Sequence, residues 1–410
     1  MNVIKPTPFQ LFENPKVSRA ARYNEDGRAD ILSDQAFEVA KREITSWTGY
    51  QETPLRGLPG MARALNVGQV FYKDEGGRFG LGSFKALGGA YAVFRLLQQA
   101  IERITGQRTN AHGILSGRYR DITANITVTC ATDGNHGRSV AWGAQTFGCR
   151  CIIYIHATVS EGRSLAIASY GAEVRRVAGN YDDAVRQADL DAKQNNWLIV
   201  SDTSYEGYTS VPRDVMQGYC VMVDEALRQM PLPPTHVFVQ GGVGGLAAAV
   251  CSHLWQAFER RRPMYVVVEP DQADCLYRSA VIGKPTAVHG SLDTIMAGLA
   301  CGEVSLIAWK ILQPGTDAFM TITDAAAADM MRALADSPFD DGPIVAGESA
   351  VAGLAGLALA AGDSAARKRL LLEEGSVVLV FGTEGATDPN VYRQIVGRDA
   401  DDVRAVATVN

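Results

Sequence analysis

The stretch ITVTCATDGNHGRSVAWGAQTFGCRCIIYI, residues 126–155, contains the pattern that decides the fold. Its first six residues are mostly β-branched or apolar and predict a strand that ends at a polar turn. Residues 136–147 predict a helix ended by Gly148, and residues 149–155 predict a second strand. A strand, a helix and a strand in this order indicate two parallel strands joined by a right-handed crossover.

The same alternation continues on the C-terminal side of this stretch. We predict further helices over residues 161–170, 182–195, 212–230 and 246–259, and further strands over residues 173–177, 197–200, 235–240, 264–268 and 376–381. The pattern predicts an α/β protein with two open, twisted, mostly parallel sheet domains and helices on both faces. Residues 105–125 have little periodicity, and we expect them to form a surface excursion.

Two domains are expected because 410 residues exceed the usual length of a single domain. We predict a large domain built from residues 1–83 and 220–410, with a small domain, residues 84–219, inserted in it. In open parallel sheets, ligands bind at the carboxyl ends of the strands. Glycine-rich or polar loops follow three of the predicted strands, at residues 132–137, 241–245 and 382–388, and we expect them to converge on one crevice.

Composition and charge exclude several classes of protein. The 39 basic and 45 acidic residues give a net charge of −6, which provides no electrostatic footprint for nucleic acid. No apolar run approaches the roughly 20 residues of a membrane-spanning helix, and residues 1–22 lack the apolar core of a signal peptide. Seven cysteines without a C-x-x-C pair indicate reduced thiols. We therefore expect a cytoplasmic protein without a nucleic-acid or membrane partner.

The stretch GLGSFKALGGA, residues 80–90, places a lysine at a predicted helix start. Ser83 is a possible helix cap, and the neighbours of Lys85 are apolar. A primary amine in apolar surroundings suits covalent chemistry with a carbonyl compound. An exposed lysine at an ordinary capped helix start explains the segment as well, and both explanations stay open on this segment alone.

Two glycine-containing loops are the other candidate sites. TDGNHGR, residues 132–138, offers an acid, an amide and an imidazole, although an ordinary capped loop has the same composition. QGGVGGLAAA, residues 240–249, has four glycines in five positions between a strand and a helix. Backbone N–H groups in such a loop form an anion cup. Its spacing fits neither a nucleotide P-loop nor a dinucleotide loop, and it predicts a phosphate site at residues 241–245.

Taken together, these features resemble the fold-type II pyridoxal-phosphate enzymes, the family of tryptophan synthase β chains, threonine and serine dehydratases and cysteine synthases. The resemblance runs from about residue 80 to residue 388. The local sequences are most similar to the diaminopropionate ammonia-lyases, in the stretches SFKALGGAY (83–91), ATDGNHGR (131–138), DTSYEGYT (202–209), MQGY (216–219), MAGLACGE (296–303) and TEGATDP (383–389). Dehydratases and synthases usually carry Ser or Thr where this chain has Asp133.

This resemblance implies a homodimeric lyase that uses pyridoxal 5'-phosphate and acts on a small amino acid, eliminating ammonia from 2,3-diaminopropionate to give pyruvate and two ammonia. Lys85 would be the Schiff-base lysine and the base for the L-substrate, and Asp133 the base for the D-substrate. Asp202 would bind the substrate amine. The alternatives are that Asp133 caps the following helix and that Asp202 is a turn residue.

The remaining cofactor contacts also follow from the resemblance. Asn135 would bind the ring hydroxyl, and the phosphate would lie on the backbone of Gly241, Gly242, Val243, Gly244 and Gly245. Related enzymes often place Ser or Thr at the start of the last glycine loop, as partner of the pyridine nitrogen. Gly382 occupies that position here, so we expect Thr383 to make the contact. Glu348 lies near the ring edge in this interpretation, or else is a helix-start acid.

Three other functions remain open at this stage. A threonine or serine dehydratase would use the same loops but leave Asp133 without a purpose. A β-replacement synthase would form product when a second nucleophile is supplied. A non-catalytic binding protein on the same fold would not need Lys85. No metal site is predicted.

Overall fold

The computed structural model describes residues 3–132 and 134–409 of the chain. The strands in these residues are β1 (Phe9–Glu13), β2 (Leu55–Gly57), β3 (Gln69–Asp74), β4 (Thr127–Ala131), β5 (Arg150–His156), β6 (Glu173–Val177), β7 (Leu198–Ile199), β8 (His236–Gln240), β9 (Met264–Pro270), β10 (Ala318–Ile322) and β11 (Val377–Gly382).

The helices in the first half of the chain are α1 (Asp34–Thr45), α2 (Pro59–Leu65), α3 (Lys85–Thr105), α4 (Ala111–Leu115), α5 (Arg120–Thr123), α6 (Asn135–Phe147), α7 (Glu161–Ala168), α8 (Tyr181–Asn195) and α9 (Ser210–Gln229). Those that follow are α10 (Gly245–Phe258), α11 (Cys275–Ile282), α12 (Leu306–Gly315), α13 (Asp324–Asp336), α14 (Ala352–Gly362), α15 (Ser364–Arg369), α16 (Pro389–Val396) and α17 (Ala400–Val409). Short 3₁₀ segments lie at Glu25–Asp30, Arg78–Gly80, Glu259–Arg261 and Ala297–Leu299.

The chain forms two compact units. The large unit comprises Met1–Ile31, Glu52–Gly77 and Met222–Asn410, and the small unit comprises Leu32–Gln51 and Arg78–Val221. The sequence predicts residues 32–51 in the large domain, whereas the structure groups them with the small unit. The reason is an aromatic cluster in which Trp47 packs edge-on against Phe147, with ring centroids 5.3 Å apart.

The large unit is built on a seven-stranded sheet in the order β1-β10-β9-β8-β11-β3-β2. The two edge strands, β1 and β2, are antiparallel to their neighbours, and the inner strands are parallel. Strands β8 and β11 are buried along their whole length, as expected of a parallel sheet covered by helices. Helix α14 lies against this sheet through small residues, because a Cβ at Gly353 would lie 2.6 Å from the carbonyl oxygen of Phe238.

The small unit contains a four-stranded sheet in the order β6-β5-β4-β7, and all its pairs are parallel. The strands and helices predicted between residues 126 and 268 are confirmed to within two residues at almost every end, and the predicted α/β fold class is confirmed. In this sheet β7 is a neighbour of β4, although helices and strands separate them in the chain. The carboxyl ends of β4 and β7 therefore lie at the same edge of the sheet.

The prediction of a surface excursion over residues 105–125 is wrong in part. The segment contains helices α4 and α5, and it buries Ala111, Ile114 and Tyr119. Helices of five and four residues are too short to produce a recognisable apolar period, which explains why the sequence pattern missed them.

In the part of the chain that the structure describes, no helix combines the length and the apolar content needed to cross a membrane.

Candidate active site

Helix α3 begins at Lys85, the predicted reactive lysine. The predicted cap is wrong, because the N-cap residue is Phe84 and no side chain caps this helix. The two glycines of the motif bring α3 close to its neighbours. A Cβ at Gly88 would lie 2.4 Å from the ring of Tyr219, and one at Gly89 would lie 2.0 Å from the hydroxyl of Ser139. The Gly-Gly pair therefore sets the position of the helix that carries Lys85.

Lys85 and Asp202 form an ion pair in the small unit. Lys85 Nζ lies 2.5 Å from Asp202 Oδ2, and their side chains are 20% and 17% exposed. Asp202 follows β7 in the chain, and the loop before Asn135 follows β4. Because β4 and β7 are parallel neighbours, the sheet brings Asp202 to the loop that the sequence singled out. The alternative that Asp202 is a plain turn residue does not account for this contact.

The environment of Asp202 keeps it ionised. Burial raises the pKa of the Asp202 carboxyl, but the charges of Lys85 and His136 and the hydrogen bond from Lys85 outweigh burial, and the pKa falls below its ordinary value. His136 Nε2 lies 2.7 Å from the carbonyl oxygen of Val200, so this nitrogen carries a proton. Its Nδ1 faces Asp202 Oδ2 at 3.8 Å. Asp202 thus offers a negative charge beside the Lys85 amine at neutral pH.

The loop between β4 and α6 is organised by Thr132. Its hydroxyl accepts hydrogen bonds from the N–H groups of Gly134 (3.0 Å) and Gly137 (3.1 Å). Asn135 is the first residue of α6. Gly137 has no space for a side chain, because its Cβ would lie 2.3 Å from Thr132 Cγ2. Asp133, the predicted base for the D-substrate, lies outside the described residues.

Tyr208 supports the segment that precedes Asp202, and the sequence analysis missed this role. The Tyr208 hydroxyl accepts a hydrogen bond from the N–H of Ser201 (3.0 Å) and donates one to the carbonyl oxygen of Ile199 (2.9 Å). The ring of Tyr205 stacks on it with centroids 4.9 Å apart. The signal was present in the quoted stretch DTSYEGYT, in which two aromatic residues flank a Glu-Gly turn.

In the large unit, the glycine loop connects β8 to α10 as predicted. Gly244 is the N-cap of α10 with φ +98°, and no side chain caps this helix. The first N–H groups of an α-helix have no partner within the helix and are available to an anion. A Cβ at Gly241 would lie 2.7 Å from Val267 and one at Gly242 would lie 3.3 Å from the carbonyl oxygen of Gly298. Side chains at these positions would fill the space beside the loop.

The structure gives a reason why the last glycine loop has Gly382 where related enzymes often have Ser or Thr. A Cβ at Gly382 would lie 2.0 Å from Cζ of Tyr72, so no side chain fits there. The next residue, Thr383, is 3% exposed, and its hydroxyl accepts a hydrogen bond from Gln240 Nε2 at 2.7 Å. Glu348 is buried and precedes Val351, the N-cap of α14, so it is not in the first turn of that helix.

Comparison with known proteins shows which family the chain belongs to. A family model described as pyridoxal-phosphate dependent enzyme matches residues 47–383. This chain belongs to the pyridoxal-phosphate-dependent enzyme family. The resemblance and the cofactor that were predicted from the sequence are thereby confirmed.

Within the pyridoxal-phosphate-dependent enzymes, the chain is similar to characterised lyases over nearly its whole length. It is 39% identical to the diaminopropionate ammonia-lyase of Escherichia coli (strain K12), over 89% of this chain and 92% of that protein. It is 38% identical to the diaminopropionate ammonia-lyase of Salmonella typhimurium (strain LT2), over 93% and 98% of the two chains. The structure of the Escherichia coli enzyme in complex with D-serine has a TM-score of 0.86 at 35% identity, covering 98% of this chain and 100% of that chain.

The residues present fit the cofactor of this family. Pyridoxal phosphate carries an aldehyde, a phosphate, a ring hydroxyl and a pyridine nitrogen. The chain offers a lysine amine for the aldehyde and an uncapped helix start behind four glycines for the phosphate. It also offers the amide of Asn135 and the buried hydroxyl of Thr383 for the two ring groups. Each group of the cofactor therefore has a chemically suitable residue.

Proposed function

We propose that this chain eliminates ammonia from 2,3-diaminopropionate, consuming one water and giving pyruvate and two ammonia. The observation that carries the proposal is the carboxylate of Asp202, 2.5 Å from the amine of Lys85 and held ionised by its surroundings. Diaminopropionate has a second ammonium group, which serine and threonine lack, and a carboxylate beside the reactive lysine is a suitable partner for it. The names of the similar lyases agree with this substrate.

We propose the following residues as the binding site for the cofactor. Lys85 attaches it through the side-chain amine, and Asn135 donates a hydrogen bond to the ring hydroxyl. The backbone N–H groups of residues 242–245 hold the phosphate at the start of α10. The N–H of Gly241, which the sequence also predicts as a phosphate donor, instead donates to the carbonyl oxygen of Val268 at 2.8 Å. Thr383 binds the pyridine nitrogen. When bound, pyridoxal phosphate withdraws electrons from the Cα of the attached amino acid.

Lys85, Asp133 and Asp202 then have separate roles in binding the substrate and removing its Cα proton. Asp202 orients the substrate through its β-ammonium group and, since its pKa is lowered, stays a carboxylate at neutral pH. Lys85 would remove the Cα proton of the L-isomer, and Asp133 would remove that of the D-isomer. The β-amino group then leaves as ammonia.

The first experiment measures 2-oxo acid release from D- and L-2,3-diaminopropionate, with D-serine, L-serine and L-threonine in parallel. We expect rapid pyruvate release from diaminopropionate and much slower release from the hydroxy amino acids. Faster release from serine or threonine would replace the proposal with a dehydratase. Product formation that requires an added nucleophile would replace it with a β-replacement synthase.

The divided roles of the two bases give a stereochemical test. Asp133→Asn should lower kcat for the D-isomer by about two to four orders of magnitude, the usual contribution of a general base, and change kcat for the L-isomer much less. The Asp189→Asn variant, at a partly exposed position of α8, serves as the control. Equal losses for both isomers would refute the division.

We also propose that the chain acts as a homodimer in the cytoplasm. Six of the seven cysteines have a raised thiol pKa because of burial, as suits a reducing compartment. Light scattering after size exclusion should give a mass near twice the 44.0 kDa of the chain. A mass of one chain at micromolar concentration would overturn the homodimer.

A further inference from the structure

A cavity of about 350 Å³ lies at the carboxyl end of β3, and all the residues that line it belong to the large unit. Its lining contains none of the residues assigned to the cofactor or to the substrate. Three of the lining residues are charged: Arg56 of β2, Asp74 of β3 and Arg404 of α17. The other lining residues are glycine, proline and valine. The cavity has a volume typical of sites for small molecules, roughly 300–1,000 Å³.

Glycines allow two loops to meet at this cavity. A Cβ at Gly76, in the turn after β3, would lie 3.4 Å from the Cα of Gly385 in the last glycine loop. A Cβ at Gly385 would lie 3.6 Å from the Cα of Gly76. The two loops therefore approach each other through their backbones. A Cβ at Gly77 would meet no atom within 4 Å, so the space beside the turn is open.

Arg56 has hydrogen-bond donors to offer a ligand in this cavity. Its Nε lies 3.2 Å from Asp74 Oδ2, and its side chain is 39% exposed. Neither of its terminal nitrogens makes a hydrogen bond to a residue that the structure describes. A guanidinium group binds a carboxylate through two parallel N–H groups. Arg56 is therefore suited to hold a carboxylate.

Asp74 favours a ligand that also carries a positive charge. Its Oδ1 accepts a hydrogen bond from the N–H of Gly76 at 3.1 Å, and each carboxylate oxygen can accept more than one hydrogen bond. Burial raises the pKa of Asp74, so a further positive group beside it would stabilise its charged form. A simple anion on Arg56 would face the negative charge of Asp74, whereas a neighbouring ammonium group would pair with it. The Arg56–Asp74 pair therefore matches a zwitterion.

Arg404 adds a second positive charge to the lining. Its side chain is 57% exposed, and its Nη1 lies 2.9 Å from Asp401 Oδ1. A guanidinium group has several N–H donors, enough for Asp401 and a ligand carboxylate together. Two guanidinium groups and one carboxylate are the complement of a molecule with two carboxylates and one ammonium group.

We propose that this cavity binds an acidic α-amino acid, with its α-carboxylate on Arg56, its ammonium group on Asp74 and its side-chain carboxylate on Arg404. Such a molecule has about ten non-hydrogen atoms, for which we expect a dissociation constant on the order of 0.1–1 mM. The site is separate from the proposed function in its residues and in its ligand.

The test is calorimetric titration of the holoenzyme at neutral pH with L-glutamate, L-glutamine and glutarate. L-Glutamine lacks the second carboxylate and glutarate lacks the ammonium group, so we expect each to bind about tenfold more weakly than L-glutamate. The visible absorbance of the cofactor should not change at saturation, because Lys85 takes no part in the site. Equal affinity for glutarate and L-glutamate would overturn the proposal by leaving only an anion site. Absence of binding by all three compounds would also overturn it.

Substitutions assign the binding to this cavity. Arg56→Gln should weaken L-glutamate binding at least about tenfold, and Arg63→Gln, at an exposed position of α2, should leave it unchanged. Asp74→Asn should weaken the binding of L-glutamate but not that of glutarate, whereas general damage to the cavity would weaken both. Unchanged L-glutamate affinity in Arg56→Gln would place the binding elsewhere and refute the site.

A variant at the exposed Arg404 keeps the test decisive if Arg56→Gln does not fold. Arg404→Gln should weaken L-glutamate binding about tenfold and leave L-glutamine binding unchanged, and equal effects on both would contradict the proposed contact. Calorimetry requires no turnover, so failure to release pyruvate from diaminopropionate would not alter these results. Conversely, normal pyruvate release without L-glutamate binding would overturn this inference and leave the proposed function intact.

Discussion

The ion pair between Lys85 and Asp202 shows how one contact decides the chemistry of a residue. The lysine alone is a helix-start residue with apolar neighbours, and the aspartate alone is a polar residue after a short strand. Lys85 Nζ and Asp202 Oδ2 lie 2.5 Å apart, so the ammonium and the carboxylate each stabilise the charged form of the other. The ammonium of Lys85 lies beside Asp202, and the proposed function assigns the same place to the ammonium of a diamine substrate.

Lys85→Ala is the most direct residue-scale test. We expect loss of covalent cofactor attachment and a fall in kcat of at least about a thousandfold, because the proposed function has Lys85 both attach the cofactor and move a proton. Absorbance, borohydride reduction followed by peptide mass analysis, and pyruvate release measure the two effects. Lys193→Ala, at an exposed lysine paired with Asp189, should behave like the unsubstituted enzyme. Full turnover by Lys85→Ala would remove this residue from the site.

Asp202→Asn tests the recognition of the substrate ammonium. We expect kcat/KM for diaminopropionate to fall by roughly 10- to 100-fold, the worth of one charge-assisted hydrogen bond. For serine, which has no second ammonium, the loss should be smaller. Because the pKa of Asp202 is lowered, its protonation should not appear in the pH–rate profile above pH 5. The same proportional loss for both substrates would contradict a role in selecting the ammonium.

The end of strand β7 is held in place by a side chain, because the strand is too short to form a long series of main-chain hydrogen bonds. This strand has two residues, and the hydroxyl of Tyr208 bonds both to Ile199 within it and to Ser201 after it. A two-residue strand gives little main-chain definition to the residues that follow. The hydrogen bonds of Tyr208 therefore contribute directly to the position of Asp202.

Tyr208→Phe removes both hydrogen bonds and retains the ring. We expect a loss of about 1–3 kcal/mol in the free energy of unfolding, because a buried N–H and a carbonyl lose their partner. We also expect a fall in kcat through displacement of Asp202, and this fall should be largest with diaminopropionate. Urea unfolding and pyruvate release measure the two effects. Tyr205→Phe, at a half-exposed ring stacked on Tyr208, is the matched control, and a similar loss there would exclude the hydroxyl as the cause.

Stability of the whole molecule should depend on pH through His236. Burial lowers the pKa of His236 from its ordinary value of 6.5, and the hydrogen bond to the carbonyl oxygen of Leu370 opposes this only in part. The folded protein therefore favours the neutral ring. Its contribution to stability is complete above the unfolded pKa of about 6.5 and is lost as the pH falls below that value.

We expect the free energy of unfolding to decrease between pH 7 and pH 5, with a slope of at most about 1.4 kcal/mol per pH unit from this one group. In His236→Gln, which can still donate to Leu370, the part of the slope due to His236 should disappear. His112→Gln, at an exposed position, provides the control. Denaturant titrations at several pH values measure the slopes, and identical slopes in the protein and in His236→Gln would rule out this assignment.

The sequence by itself determined the features that depend on local patterns. Alternating strands and helices, the glycine loop before α10 and a lysine at the start of α3 can all be recognised from contiguous residues, because period, glycine content and helix signals act over a few positions. Strands β4 to β9 and β11 were predicted to within two residues, whereas β3, the strand that precedes Lys85, was not predicted. The family resemblance rested on short stretches of the same kind.

The tertiary structure alone decided the contacts between distant residues. Lys85 and Asp202 are 117 positions apart, and Gln240 and Thr383 are 143 positions apart. The second pair depends on β8 and β11 being neighbours, and the first depends on β7 lying beside β4 and on α3 packing against α6. Strand order follows from the packing of whole sheets and helices, and no local period encodes it. For the same reason the sequence could name Thr383 and Gly382 but could not show that the ring of Tyr72 fills the space beside Gly382.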